Sequence, residues 1–150
     1  MRFDAPDSDL LDQVVDACRL PIEQRFHNDN LAGAAAMLMA DGTVLTVTSP
    51  HAINPSVEVC HEIEPCCAAF RLDQPIVASV CLHCEPGGRV LILSPCGVCR
   101  ERLAVHGPDV QVGVADLRDA TVVVWKTLKN VLPNYWMTAF PDEVDKSWLS

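Results

Sequence analysis

The chain is poor in positive charge. Its 150 residues carry 11 Lys and Arg against 20 Asp and Glu, a formal net charge of −9. It has no basic block, so it lacks the footprint that grips a phosphate backbone. The acidic balance predicts a small-molecule substrate and no nucleic-acid partner. No apolar run reaches transmembrane length, which predicts no membrane partner. Residues Met1 to Asp9 are acidic and lack the apolar core of a secretion signal, so a cytoplasmic protein is expected. No internal repeat, low-complexity tract or linker divides the sequence. Residues 1–150 are therefore expected to form a single domain.

Apolar residues and cysteine, in contrast, are plentiful. Apolar side chains make up 49% of the chain, enough to build a core. Eight cysteines in a cytoplasmic protein argue for thiols and metal rather than disulfides.

The stretch Ser94 to Arg102 organises the rest. It follows the apolar run Val90 to Leu93, which reads as a buried strand. It turns at Pro95 and Gly97 and enters a helix over Arg100 to His106. Cys96 and Cys99 thus stand at a strand-to-helix junction, spaced so that two thiolates can meet one ion. The partial positive charge of a helix N-terminus favours the thiolate form.

The remaining chain alternates helix and strand signals. Ser8 to Leu20 has a helical apolar period, with Ser8 as N-cap and Pro21 past its end. Ala32 to Met39 and Thr43 to Thr48 flank Asp41-Gly42, a hairpin signal. The small residues Gly33 to Ala36 imply that something packs very close to that strand. Ser49 to Val59 is a long connection of the kind that often carries function. Cys60 to Leu72 reads as a helix, Ile76 to Leu82 as a strand, and Val110 to Ala115 and Thr121 to Trp125 as two more strands. A short helix over Thr127 to Leu132 precedes Pro133. The pattern predicts an α/β fold, a three-layer α/β/α sandwich around a mixed, about five-stranded sheet.

Three ligand sets compete for a metal. In one, Cys60 joins Cys96 and Cys99, giving three thiolates and an open fourth position, with Glu62 two residues away. In another, Cys66 or Cys67 supplies the third thiolate, and no carboxylate accompanies it. In the last, Cys81 and Cys84 pair with Cys96 and Cys99 in a structural zinc ribbon. The strand reading of Cys81 weighs against the ribbon. Cysteines outside the ligand set, Cys18 included, read as small buried hydrophobes. His27, His83 and His106 read as ordinary core or surface imidazoles.

With these residues in place, the chain resembles the cytidine deaminase family, including its blasticidin S deaminase branch. Ser94-Pro-Cys-Gly-Val-Cys-Arg100 is similar to the family's second zinc motif. Cys60-His-Glu62 resembles its Cys-Ala-Glu, Ala32-Gly-Ala-Ala35 its Val-Gly-Ala-Ala, and Leu132-Pro133 with Trp136 its Leu-Pro-x-x-Phe. The matches run in family order over residues 30 to 136.

The resemblance implies Zn2+ as cofactor and a hydrolytic deamination, in which activated water attacks the amino-bearing carbon of a heterocycle and ammonia leaves. Cys60, Cys96 and Cys99 would be the ligands, and Glu62 the catalytic proton carrier. Arg100 and the helix N-termini would help to offset the thiolate charge. The backbone N–H at His61 would contact the base, and Trp136, with Tyr135, would close over it. A homo-oligomer, dimer or tetramer, is implied as well.

The chain also departs from the family at several positions. The family's ribose-binding Asn-x-Glu falls on Ser49 and His51, an aromatic before the first strand becomes Asn30, and an Arg after the Glu becomes Ile63. These changes predict a cytosine nucleoside with an altered sugar, or a related amino-heterocycle, with Asn30, Ser49 and His51 among the substrate contacts. Two further readings stay open: a zinc-containing ligand-binding protein without catalysis, and a zinc-ribbon interaction module.

Overall fold

The computed structural model describes residues 5–26 and 32–150. Asn30 and His27 lie outside the described residues. Helix α1 spans Ser8–Arg25, strand β1 Ala32–Met39 and β2 Val44–Val47; α2 spans Ile63–Leu72, β3 Ile76–Cys84 and β4 Val90–Leu93. Helix α3 (Gly97–Ala104), β5 (Gln111–Ala115), β6 (Val123–Thr127) and α4 (Leu128–Val131) follow.

The sheet is mixed and has six strands, one more than the expected number. Its order is β2-β1-β3-β5-β6, and β4 pairs antiparallel with the end of β3, Cys81 opposite Leu93. One edge of β3 is thus divided, parallel to β5 near Ser79 and antiparallel to β4 beyond Cys81.

Every residue of β1 is buried because both its faces are covered. Ala34, Ala36 and Leu38 join Leu11, Val14, Cys18 and Ile22 of α1 in one core. Met37 and Met39 join Ala69 of α2, Leu103 of α3 and Leu128 of α4 in the other. The period-two alternation of a strand sorts its side chains between these cores, and the result is the expected three-layer sandwich.

Several boundaries differ from the sequence reading, four of them for a visible reason. Helix α1 continues through Pro21 to Arg25, because buried Ile22 holds its last turn on the core and accepts the capping N–H of Phe26 at 3.0 Å. Its N-cap is Asp7, which accepts from Leu10 N at 2.8 Å. Helix α2 begins only at Ile63: the Ile63 N–H closes a turn on the Cys60 carbonyl at 3.1 Å, leaving Cys60 ahead of the helix. Strand β6 starts at Val123, two residues late, because Asp119 captures the N–H of Thr121 at 3.0 Å and its hydroxyl at 2.8 Å in a side-chain-capped turn.

Among the described residues, no helix is long and apolar enough to cross a membrane.

Candidate metal centre and active site

Two connections deliver the thiols. Cys96 is the N-cap of α3, in extended conformation before Gly97, and Cys99 lies one turn on. Cys60 arrives at the end of the long 49–59 connection. The sulfur atoms of Cys60 and Cys96 are 3.5 Å apart, as are those of Cys96 and Cys99. All three fall within 4.8 Å of one another, and among the described residues no other group of His, Cys, Asp and Glu converges in this way.

The alternative ligands lie elsewhere. Cys66 turns its thiol toward the Met37 sulfur at 3.9 Å, Cys67 is exposed, and Cys84 donates to the Glu85 carbonyl at 3.6 Å. Cys81 is buried on β3, which sets the ribbon reading aside. The exposure of Cys67 also corrects its reading as a buried hydrophobe.

The three thiols differ electrostatically. Burial raises the Cys96 thiol, but the backbone N–H groups of Cys99 and Val98 and its neighbouring thiols outweigh it, so Cys96 ends below the ordinary thiol value. Cys60 and Cys99 stand above that value, chiefly through burial. A donor set with one thiol already biased to thiolate, and two more at contact distance, fits a tetrahedral Zn2+ with its fourth position open. Zinc is the cofactor this centre holds.

Glu62 stands at the N-cap position of α2 and is 5% exposed. Burial pushes its carboxyl above the usual range, against smaller opposing pulls from its own backbone N–H and the Cys99 thiol. Arg100 does not face the thiols. Its Nε donates to the Pro95 carbonyl at 2.8 Å and its Nη1 to the Val131 carbonyl at 2.7 Å, which pins the cysteine loop to α4.

A cavity of about 530 Å3 is walled in part by Phe26, Gly33, Ser49, His51, His61 and His83; neither the three thiols nor Glu62 line it. His61, covalent neighbour of Cys60 and Glu62, is its connection to the centre. Its Nδ1 accepts the Ser49 N–H at 2.8 Å, with the Ser49 hydroxyl also at 2.8 Å. Its other edge lies against β1, where a Cβ on Gly33 would come within 2.3 Å of Nε2. The close neighbour that the small residues of β1 imply is therefore this imidazole. Burial, with the other histidines adding to it, keeps His61 below the ordinary imidazole value.

His51 sits at the cavity rim, its Nδ1 3.5 Å from Glu58. His83, read from sequence as an ordinary imidazole, joins the wall because it pairs across from Gly33 on β1. Only the strand register reveals that. Trp136 lies apart from the cavity walls of its own chain. It is 58% exposed, with its indole N–H on Glu101 at 3.1 Å and the Tyr135 hydroxyl on the same carboxylate. A larger cavity, about 780 Å3, lies around His106, Val110 and Asp145, and none of the three thiols lines it.

No protein-family profile matches the sequence, and no curated protein matches it. Among solved structures, a cytidine deaminase from Bacillus anthracis is 36% identical, covers 93% of this chain and 98% of its own, and has a TM-score of 0.82. Cytidine deaminases from Mycobacterium leprae (20% identical, 83% of this chain and 98% of its own, TM-score 0.63) and Mycobacterium tuberculosis (21%, 85% and 97%, 0.63) share the fold. With three thiols converging beside a buried carboxyl on this scaffold, the chain belongs to the cytidine deaminase family and is a zinc-dependent deaminase.

Proposed function

We propose that the protein hydrolytically deaminates a cytosine nucleoside with an altered sugar, or a related amino-heterocycle. The observation that supports it most is Glu62, a buried carboxyl held two residues from Cys60 with raised proton affinity. A buried carboxyl whose affinity for a proton is raised suits general acid and base work. Zinc bound at the three thiols supplies the Lewis acidity that eases ionisation of the attacking water.

Glu62 takes one proton from that water and delivers it to the ring nitrogen, then takes the second from the newly added hydroxyl and delivers it to the departing amino group. A carbon–oxygen bond forms, the carbon–nitrogen bond breaks, and ammonia leaves. The backbone N–H of His61 is positioned in this reading to meet the base. Asn30, Ser49, His51 and Trp136 remain the proposed substrate contacts, with Trp136 acting in a cytoplasmic homo-oligomer, dimer or tetramer.

The test is ammonia release by the zinc-loaded protein from cytidine, deoxycytidine, cytosine, blasticidin S, sugar-modified cytosine nucleosides and aminopurines. Glu62→Ala is the control and is expected to keep zinc while losing turnover by about 10²–10⁴-fold, the scale of general acid and base help. An active Glu62→Ala protein overturns the assignment. Full zinc occupancy without ammonia from any substrate in the unmodified protein leaves a ligand-binding protein instead.

A further inference from the structure

We infer that Cys96 and Cys99 are also a redox pair: a peroxide oxidises them to a disulfide across the first turn of α3, and the metal site is dismantled and rebuilt with that bond. Cys96 is exposed and caps α3 in extended conformation, while Cys99, one turn on, is fully buried. Their sulfur atoms are 3.5 Å apart. A disulfide bond measures about 2.05 Å, so the pair closes with a shift of about 1.5 Å. An open thiol that meets the oxidant, backed by a sheltered one that resolves it, is the arrangement of a redox-sensing dithiol.

The backbone under both sulfurs is held for closure. The Arg100 N–H bonds the Cys96 carbonyl at 2.9 Å and completes the turn between the two cysteines. The Arg100 guanidinium holds the Pro95 carbonyl at 2.8 Å and the Val131 carbonyl at 2.7 Å. Side-chain rotation is therefore the main movement the bond requires. The other thiols are placed differently. Cys18 donates to the carbonyls of Ala34 and Val80, Cys84 to that of Glu85, and Cys66 faces the Met37 thioether. Cys60 also lies 3.5 Å from Cys96, but it comes from a separate connection 36 residues away, whereas Cys99 shares one hydrogen-bonded turn with Cys96.

The Cys96 sulfur attacks one peroxide oxygen. The O–O bond breaks, a sulfenic acid forms, and the other oxygen leaves as water. The Cys99 sulfur then attacks the sulfenic sulfur. An S–S bond forms, the S–O bond breaks, and a second water leaves. Two electrons pass from the sulfur pair to the peroxide. The protons in those waters come from the thiols, or from solvent where the thiols are already ionised on the metal. Two of the three metal donors are thereby consumed, and Cys60 alone does not retain the ion.

The experiment treats the zinc-loaded full chain with hydrogen peroxide. Zinc release is followed with a chromogenic chelator, and the cysteines by non-reducing tryptic mapping. Trypsin cuts after Arg89 and Arg100, so Cys96 and Cys99 share the peptide 90–100, while Cys60 lies on the peptide 26–71. Peptide 90–100 should become about 2 Da lighter, the loss of two hydrogens. Zinc should fall in step from about one per chain toward none, and a dithiol reductant with zinc should reverse both changes. Cys99→Ser should leave the Cys96 sulfenic acid open to capture by dimedone, and Cys60→Ser should still close the bond within 90–100. A cross-link between 90–100 and 26–71, zinc lost with no disulfide in 90–100, or both thiols intact at full zinc occupancy overturns the redox pair. Closure of the bond in a protein that releases no ammonia from any compound keeps the redox pair and removes the proposed function. Ammonia release that persists through peroxide, with peptide 90–100 unchanged, does the reverse.

Discussion

Ser49 brings its backbone N–H and its hydroxyl to a single acceptor, Nδ1 of His61, each at 2.8 Å. A backbone N–H can only donate, so that ring nitrogen is bare and the proton sits on Nε2. The side chain that replaces the family's alanine therefore ties the start of the 49–59 connection to the turn between Cys60 and Glu62.

His61→Ala should release that tie. The expected result is faster hydrogen exchange at the Ser49 amide and a stability loss of about 1 kcal/mol, the scale of one hydrogen bond. Unchanged exchange at Ser49 would show that the contact does not hold the loop.

Gly33→Ala should force His61 aside, because the new methyl would fall 2.3 Å from Nε2. Overpacking of this kind costs about 1–3 kcal/mol, read as a lower urea midpoint. In a His61→Ala background the same substitution should cost much less. That difference is the coupling energy of a double-mutant cycle, and equal costs in both backgrounds would contradict the packing.

Zinc content separates the ligand sets. Replacing Cys60, Cys96 or Cys99 with Ser should each abolish stoichiometric zinc, measured by elemental analysis after gel filtration. Cys81→Ala should leave one zinc per chain, since the Cys81 thiol lies outside the converging set. Zinc lost with Cys81 and kept without Cys60 would restore the ribbon.

Acid should weaken the fold through His106. Burial holds its imidazole below the ordinary value of 6.5, and its Nδ1 accepts the Ile76 N–H at 3.3 Å. The unfolded chain then binds more protons than the folded one, so the stabilising share is present above 6.5 and is lost as pH falls through the lower folded value. His106→Asn keeps an acceptor for that N–H but cannot titrate. Between about pH 7.5 and pH 5.5 the unmodified protein should lose more stability than the variant. Equal losses would remove His106 from the account.

The layers and the site differed in how far they could be read from the residues alone. Asp41-Gly42 and the apolar runs around it fix the β1–β2 hairpin, since turn chemistry and alternation are local properties. The Cys96 and Cys99 pair was legible for the same reason, because a proline, a glycine and a helix start lie within a few residues. His83 was not legible. Its place in the cavity depends on the register of β3 against β1, which the residues near it do not encode. The role of Arg100 was also hidden, because its partners are carbonyls of Pro95 and Val131, the second 31 positions away. The continuation of α1 past Pro21 depended on the core that Ile22 finds, a tertiary override of a local stop signal.

The thiols of Cys60 and Cys96 are 36 residues apart along the chain and 3.5 Å apart in space. An ion joining them closes a loop that contains α2, β3 and β4. Its binding free energy is thereby also folding free energy, since an open chain offers no such cluster. Closing a loop of that length in a disordered chain has an entropic cost of several RT, so the unfolded ensemble does not assemble the site, and the metal binds and stabilises the native state alone. Chelation should therefore do more than silence chemistry. It should lower the melting temperature, and the span from α2 to β4 should become the part of the molecule that opens first.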